Sequence, residues 1–99
     1  MTRGSTPTFI FNLKISPDDI SKLRITFKQG CQNVLELKEN DVTVKDNALQ
    51  YTLSQEESLA FDDTSSVRFQ MKVKCTDGKI LVSRVKRFPV DELFNEEVL

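Results

Sequence analysis

Adjacent carboxylates, two cysteines and a run of basic residues hold whatever chemistry this 99-residue chain can do. Asp18-Asp19, Glu56-Glu57, Asp62-Asp63 and Glu96-Glu97 would serve glycoside hydrolysis only as carboxyls facing each other across a cleft, about 5 to 10 Å apart. Neighbours in a turn do not offer that geometry, so they read as solvated turn and helix-start residues. Asp62-Asp63-Thr64-Ser65 has oxygen ligands without the spacing of a calcium loop. Histidine is absent, which removes Ser-His-Asp and Cys-His catalysis and, with two scattered cysteines, a structural zinc site. Nothing beside Cys31 or Cys75 would activate a thiolate. Gly4, Gly30 and Gly78 stand apart, so there is no phosphate loop. The expectation is no enzyme, no catalytic residue, no metal and no cofactor.

Charge is more informative. The net charge is -1, yet Val67 to Phe88 holds seven bases and one acid, whereas Pro89 to Leu99 holds four acids and no base. Arg68, Lys72 and Lys74 form a basic stripe on one strand face. That is a weak nucleic-acid signal, because the aromatics that would stack bases share the opposite face. The C-terminal residues are amphipathic at helical spacing, with Val90, Leu93, Phe94 and Val98 on one side. A helix this short needs a surface to dock on, either its own domain or a partner subunit.

Strands must position these groups. Val67, Phe69, Met71, Val73 and Cys75 alternate with Arg68, Gln70, Lys72 and Lys74, the period of a half-buried strand. Asp77-Gly78 then signals a tight hairpin, with a returning strand from Ile80 to Lys86. Further strands are expected at Thr8–Leu13, Lys22–Lys28, Val34–Lys38, Val42–Lys45 and Ala48–Leu53. A two-residue turn at Asp46-Asn47 pairs Val44 with Leu49 and Thr43 with Gln50. Ser54 to Glu57 is a capping box that predicts one helical turn. About seven short strands and one helical turn predict an all-β, immunoglobulin-like antiparallel β-sandwich. The division is a flexible arm at 1–7, a β-sandwich domain at 8–88 and an acidic amphipathic tail at 89–99.

The returning strand is apolar in both phases. A two-residue turn at Asp77-Gly78 sets Val82 against Val73 and puts Leu81 and Val85 on the outer face. Either a bulge shifts the register or something covers that face, and the reading favours cover.

Hydrophobic content of 38% and charged content of 29% suit one globular domain. No apolar run approaches the ~20 residues of a membrane span, and no signal peptide opens the chain. The expected location is cytoplasmic at synthesis, with free thiols.

Several segments also resemble a known group. They are Pro7-Thr8-Phe9-Ile10-Phe11, Leu23 to Gln29, Tyr51-Thr52-Leu53-Ser54-Gln55-Glu56-Glu57-Ser58-Leu59-Ala60-Phe61, Val67 to Val73, and Glu96-Glu97-Val98-Leu99. Together they resemble small proteins encoded in prophages of Gram-positive bacteria, similar to the N-terminal sandwich domain of phage baseplate upper proteins. The segment from Leu53 to Phe61 is the most specific part. The resemblance implies a tail- or baseplate-associated interaction module with a place in the virion, and brings no catalytic residues with it. It departs in length, since the baseplate proteins continue into linkers and fibres.

The expected function is a non-enzymatic protein-interaction module of phage or prophage origin. Its contacts would be made by Leu81, Val85, Arg87, Leu93, Phe94 and Val98, with phage tail components or a second copy as partner. The alternative is a small carbohydrate- or nucleic-acid-binding β-sandwich module. Nucleic acid would use Arg68, Lys72 and Lys74, and for carbohydrate the sole aromatic candidate is Tyr51, itself expected inward.

Overall fold

The computed structural model describes residues 1–93. These form β1 (Thr8–Asn12), β2 (Ile20–Gln29), β3 (Gln32–Lys38), β4 (Thr43–Lys45), β5 (Ala48–Thr52), α1 (Gln55–Leu59), β6 (Val67–Cys75), β7 (Ile80–Val82) and β8 (Lys86–Phe88). A 3-10 turn at Pro17–Asp19 precedes β2. The strands make two antiparallel sheets. The smaller has the order β1-β5-β4, and the larger β3-β2-β6-β7 with β8 also on β6.

The core follows from alternation in β2 and β6. Leu23, Ile25 and Phe27 are buried on one face of β2, opposite Val73, Met71 and Phe69 of β6. Phe9 and Phe11 of the smaller sheet meet this layer, with ring centroids 5.7 Å apart for Phe9–Phe27 and 5.9 Å for Phe11–Phe69. Phe61 and Phe88 join the same cluster. Tilted and edge contacts at these separations suit aromatic quadrupoles and add to burial.

Local signals hold where the chemistry is local. Asp46 and Asn47 both have positive φ, 52° and 61°, the two-residue turn whose twist matches a hairpin. Thr43 pairs with Gln50 and Val44 with Leu49, as the spacing predicts. Ser54 and Glu57 complete the capping box at α1.

The first seven residues, expected as a loose arm, are bonded to the body. The Ser58 hydroxyl donates to the Ser5 carbonyl at 2.7 Å, and Leu53 N–H donates to the Pro7 carbonyl at 3.0 Å. Arg3 donates from Nη2 to the Leu59 carbonyl at 2.9 Å and from Nε to the Phe61 carbonyl. A guanidinium at the end of α1 satisfies carbonyls that the helix leaves open.

The start of the tail also departs from expectation. Val90 is buried in the core, and Asp91 forms a parallel bridge with Thr2. Asp91 N–H donates to the Met1 carbonyl at 2.7 Å. Residues 89–93 are therefore not helical, because pairing with Met1 to Arg3 satisfies their backbone in extended form. Phe94 and Val98 lie outside the described residues.

The largest correction concerns the β6–β7 hairpin. Its loop has three residues, Thr76-Asp77-Gly78, not two. Gly78 N–H donates to the Cys75 carbonyl at 3.0 Å, and Cys75 N–H to the Lys79 carbonyl at 2.8 Å. Gly78 has φ +91°, the left-handed residue that closes such a loop with a bulge. The register moves by one residue, so Leu81, not Val82, lies opposite Val73. A one-residue slip turns every side chain over. Leu81 therefore faces the inner side, and Ile80 and Val82 face out.

A second shift follows. β8 pairs Phe88 with Val67 and Lys86 with Phe69, one residue out of phase with β7. Ser83 sits at the break: its N–H donates to the Met71 carbonyl at 2.8 Å, and its Oγ accepts from Met71 N–H at 2.9 Å. This break splits the expected seventh strand in two. It also lets Leu81 and Phe88 both point inward, which strict alternation forbids.

Candidate functional site

The outer face of the larger sheet is strongly basic because β2 and β6 align their outward positions. Lys22 lies opposite Lys74, Arg24 opposite Lys72, and Lys28 opposite Arg68. Arg87 lies opposite Arg68 on the other side. Like charges directly opposite on a sheet destabilise it. Two carboxylates relieve this, both at Arg24: Glu39 Oε2 sits 2.8 Å from Nη1, and Glu36 Oε1 lies 3.7 Å from Nε. Glu39 is held below the usual carboxylate range chiefly by its own and the Leu23 backbone N–H groups, with a smaller contribution from Arg24. Arg68 donates from Nη2 to the Gly30 carbonyl. Lys22, Lys28, Lys72, Lys74 and Arg87 make no ion pair among the described residues.

This face has an apolar margin. Ile80, Val82 and Val85 are 50%, 55% and 52% exposed. Val85 lines a shallow hollow with Thr26, Lys28, Arg68 and Gln70, so it borders the basic stripe directly. Arg87 is exposed on the same face. Leu93 sits elsewhere, so close over Gly4 that a Cβ there would meet its Cδ2 at 2.9 Å, with Leu59 Cδ2 at 3.4 Å from the same point.

Leu81 belongs to a different surface. It lines a groove of about 590 Å³ between β1 and β7, with Phe9, Phe11, Phe69, Met71 and Val73. The groove exists because β1 ends one sheet and β7 ends the other on the same side of the molecule. Its charged lining is Lys14, Arg84 and Lys86, with no carboxylate. The structure thus brings Arg68, Lys72, Lys74, Val85 and Arg87 together and separates Leu81 and Leu93 from them. The contributions of Lys22 and Lys28 depend on which strand lies beside β6. Their outward phase is visible in the sequence, but their neighbour is not.

No group of three or more Cys, Asp and Glu side chains that could hold a metal ion is found among the described residues. Cys75 is buried, Cys31 is exposed, and both are free thiols. Tyr51 donates its hydroxyl to Glu57 Oε2 at 2.6 Å. Burial first, then that carboxylate, pushes the phenol up to about 12. Asp62 is held low by the Thr64 hydroxyl and N–H, both of which donate to it. None of the described helices is long and apolar enough to cross a membrane.

A scan against protein-family models matches none, and searches of curated proteins and of solved structures find no significant match.

Proposed function

We propose that this chain is a non-enzymatic protein-interaction module, an immunoglobulin-like sandwich of phage or prophage origin associated with a tail or baseplate. One observation carries the interaction reading: the in-register basic face bordered by exposed Ile80, Val82 and Val85. Stacked like charges carry a cost in the free protein, and an acidic surface laid across them removes it. The apolar margin supplies the non-polar contact that a protein partner needs and a polynucleotide backbone does not. The segments from Pro7 to Phe11 and from Leu53 to Phe61 support the phage origin by their resemblance.

Lysine-reactive cross-linking in an induced lysogen, followed by mass spectrometry of the virion fraction, tests this reading. Links from Lys22, Lys28, Lys72 or Lys74 to tail proteins are expected. A virion fraction without the chain, or links confined to copies of the chain, defeats it.

The paired bases also favour a second reading, sequence-independent binding of single-stranded nucleic acid. It requires retention on an oligonucleotide with a salt slope of about 0.7 per phosphate neutralised. Flow-through at low salt rules it out. A carbohydrate site has less support, since Tyr51 is engaged by Glu57.

A further inference from the structure

The groove between β1 and β7 is bounded by two strand edges that pair with no further strand among the described residues. Cys75 N–H donates to Lys79, and Ser83 N–H donates to Met71. In an antiparallel pair, positions alternate between bonded and non-bonded. The backbone groups of Ile80 and Val82 therefore point away from β6, along the open edge. Leu53 N–H donates to Pro7, which by the same alternation turns the backbone of Ile10 and Asn12 away from β5. An exposed edge of three apolar residues, Ile80-Leu81-Val82, is a template for another strand, and proteins ordinarily blunt such edges. Here the positive charges of Arg84 and Lys86 follow only after the register break.

We propose that this groove takes an extended segment of a partner protein, apolar at alternate residues and bearing carboxylates, which adds a strand to β7. The proposal rests on the reading of the chain as an interaction module, but uses the groove and the backbone edge of β7, which adjoin the basic outer face at Val82. Strand addition supplies backbone hydrogen bonds, and pockets for alternate side chains supply selectivity. The apolar floor of Phe9, Phe11, Phe69, Met71 and Leu81 receives every second side chain. The rim selects the charge: Lys14, Arg84 and Lys86 are exposed, and none forms an ion pair among the described residues. A basic segment would meet like charge on both sides, and an acidic one would neutralise them.

Selection from a displayed library of random ten-residue peptides against the full-length protein tests this directly. Enrichment of peptides that alternate apolar residues and carry Asp or Glu is expected. Val82→Pro removes an N–H that β6 does not use, and proline is tolerated on a strand edge. It should weaken an enriched peptide roughly tenfold by removing one bond of the added strand. Leu81→Arg, at a position 43% exposed, should weaken it at least as much. Lys22→Glu with Lys28→Glu should leave it within about twofold at physiological salt, since β2 lies beyond β6 from the β7 edge and its charges are more than a Debye length from an added strand. No enrichment, basic consensus peptides, or peptides indifferent to Val82→Pro would each overturn the proposal. So would protection of the Val82 amide in the free protein that is lost on Glu96→Lys with Glu97→Lys, which assigns the groove to the chain's own segment. Protection that grows with protein concentration would likewise overturn it in favour of a second copy. If peptides bind as expected while tail proteins never cross-link to the outer face, the groove stands and the outer-face reading fails.

Discussion

The carboxamide of Gln29 grips the backbone of Asp62 at both ends. Its Oε1 accepts from Asp62 N–H at 2.9 Å, and its Nε2 donates to the Asp62 carbonyl at 2.8 Å. The same Nε2 reaches the Ser65 carbonyl at 3.1 Å. One buried side chain thus fastens the end of β2 to the loop that launches β6.

Removing that grip strands a donor and two acceptors. Gln29→Ala is expected to destabilise the protein by about 2–3 kcal/mol, the cost of leaving buried polar groups unpaired. Gln29→Glu should be no better at neutral pH, since a carboxylate cannot donate to the two carbonyls. Urea denaturation of the three proteins measures this. A change under about 0.5 kcal/mol would mean that water replaces the amide.

Tyr51 is the only tyrosine, so its ionisation can be read from ultraviolet absorbance. Its phenol is raised from 10.0 to about 12, which means that the folded state holds the proton more tightly than the unfolded state. This stabilisation is fully present below pH 10 and is lost as pH rises from 10 towards 12. The tyrosinate midpoint should therefore lie near 12 in the native protein and near 10 in urea. Tyr51→Phe should cost about 1 kcal/mol at neutral pH and flatten the alkaline loss of stability. Equal midpoints in the two states would refute it.

The pairing of Cys75 with Lys79 across the loop controls which face of β7 is apolar. Deleting Thr76 leaves Asp77-Gly78 as a two-residue turn between the same flanks, Cys75 and Lys79, so the register should hold with Leu81 opposite Val73. Deleting Lys79 with the three-residue loop kept brings Ile80 opposite Cys75 and Val82 opposite Val73, and turns Leu81 outward. Nuclear Overhauser contacts should stay at Val73–Leu81 in the first variant and move to Val73–Val82 in the second, with lower stability. Gly78→Ala should keep the register and cost about 1 kcal/mol through its positive φ. A Lys79 deletion with wild-type contacts would show that the register is fixed elsewhere.

Lys74 faces Lys22 with no acid between them. Lys74→Glu is expected to raise the thermal midpoint at low ionic strength, and the gain should shrink in about 0.5 M salt as the charges are screened. The same change should lower affinity for an acidic partner. A variant less stable than wild type at low salt would contradict the account of the outer face.

What the sequence makes legible follows from how far each cause reaches along the chain. The alternation of Val67 to Cys75, the Asp46-Asn47 turn and the Ser54–Glu57 box each depend on neighbours within a few residues. The β6–β7 register depends on whether Gly78 closes a two- or a three-residue loop, and Asp-Gly serves both. The N-terminal segment reads as loose because the carbonyls held by Arg3, at Leu59 and Phe61, lie far away in sequence. Gln29 gives a signal that goes unread: it continues the inward phase of Leu23, Ile25 and Phe27, where a polar residue must find partners. At the site, the outward phases of Lys22 and Lys28 are plain, but only the pairing of β2 with β6 sets them against Arg68 and Lys74.

The bridge between Thr2 and Asp91 carries a mechanical consequence. The two short segments run parallel, so tension drawing Met1 and Leu93 away from each other slides one past the other. The bonds Asp91 N–H to Met1, Arg3 N–H to Asp91, and the Met1 amine to Pro89 then bear load together, in shear, instead of parting one by one like a zipper. Phe88, wedged among four rings just before the bridge, must leave the interior before β8 can peel. The domain is thus braced at its two ends, with the rest of the chain shielded from an axial pull until that clasp gives way.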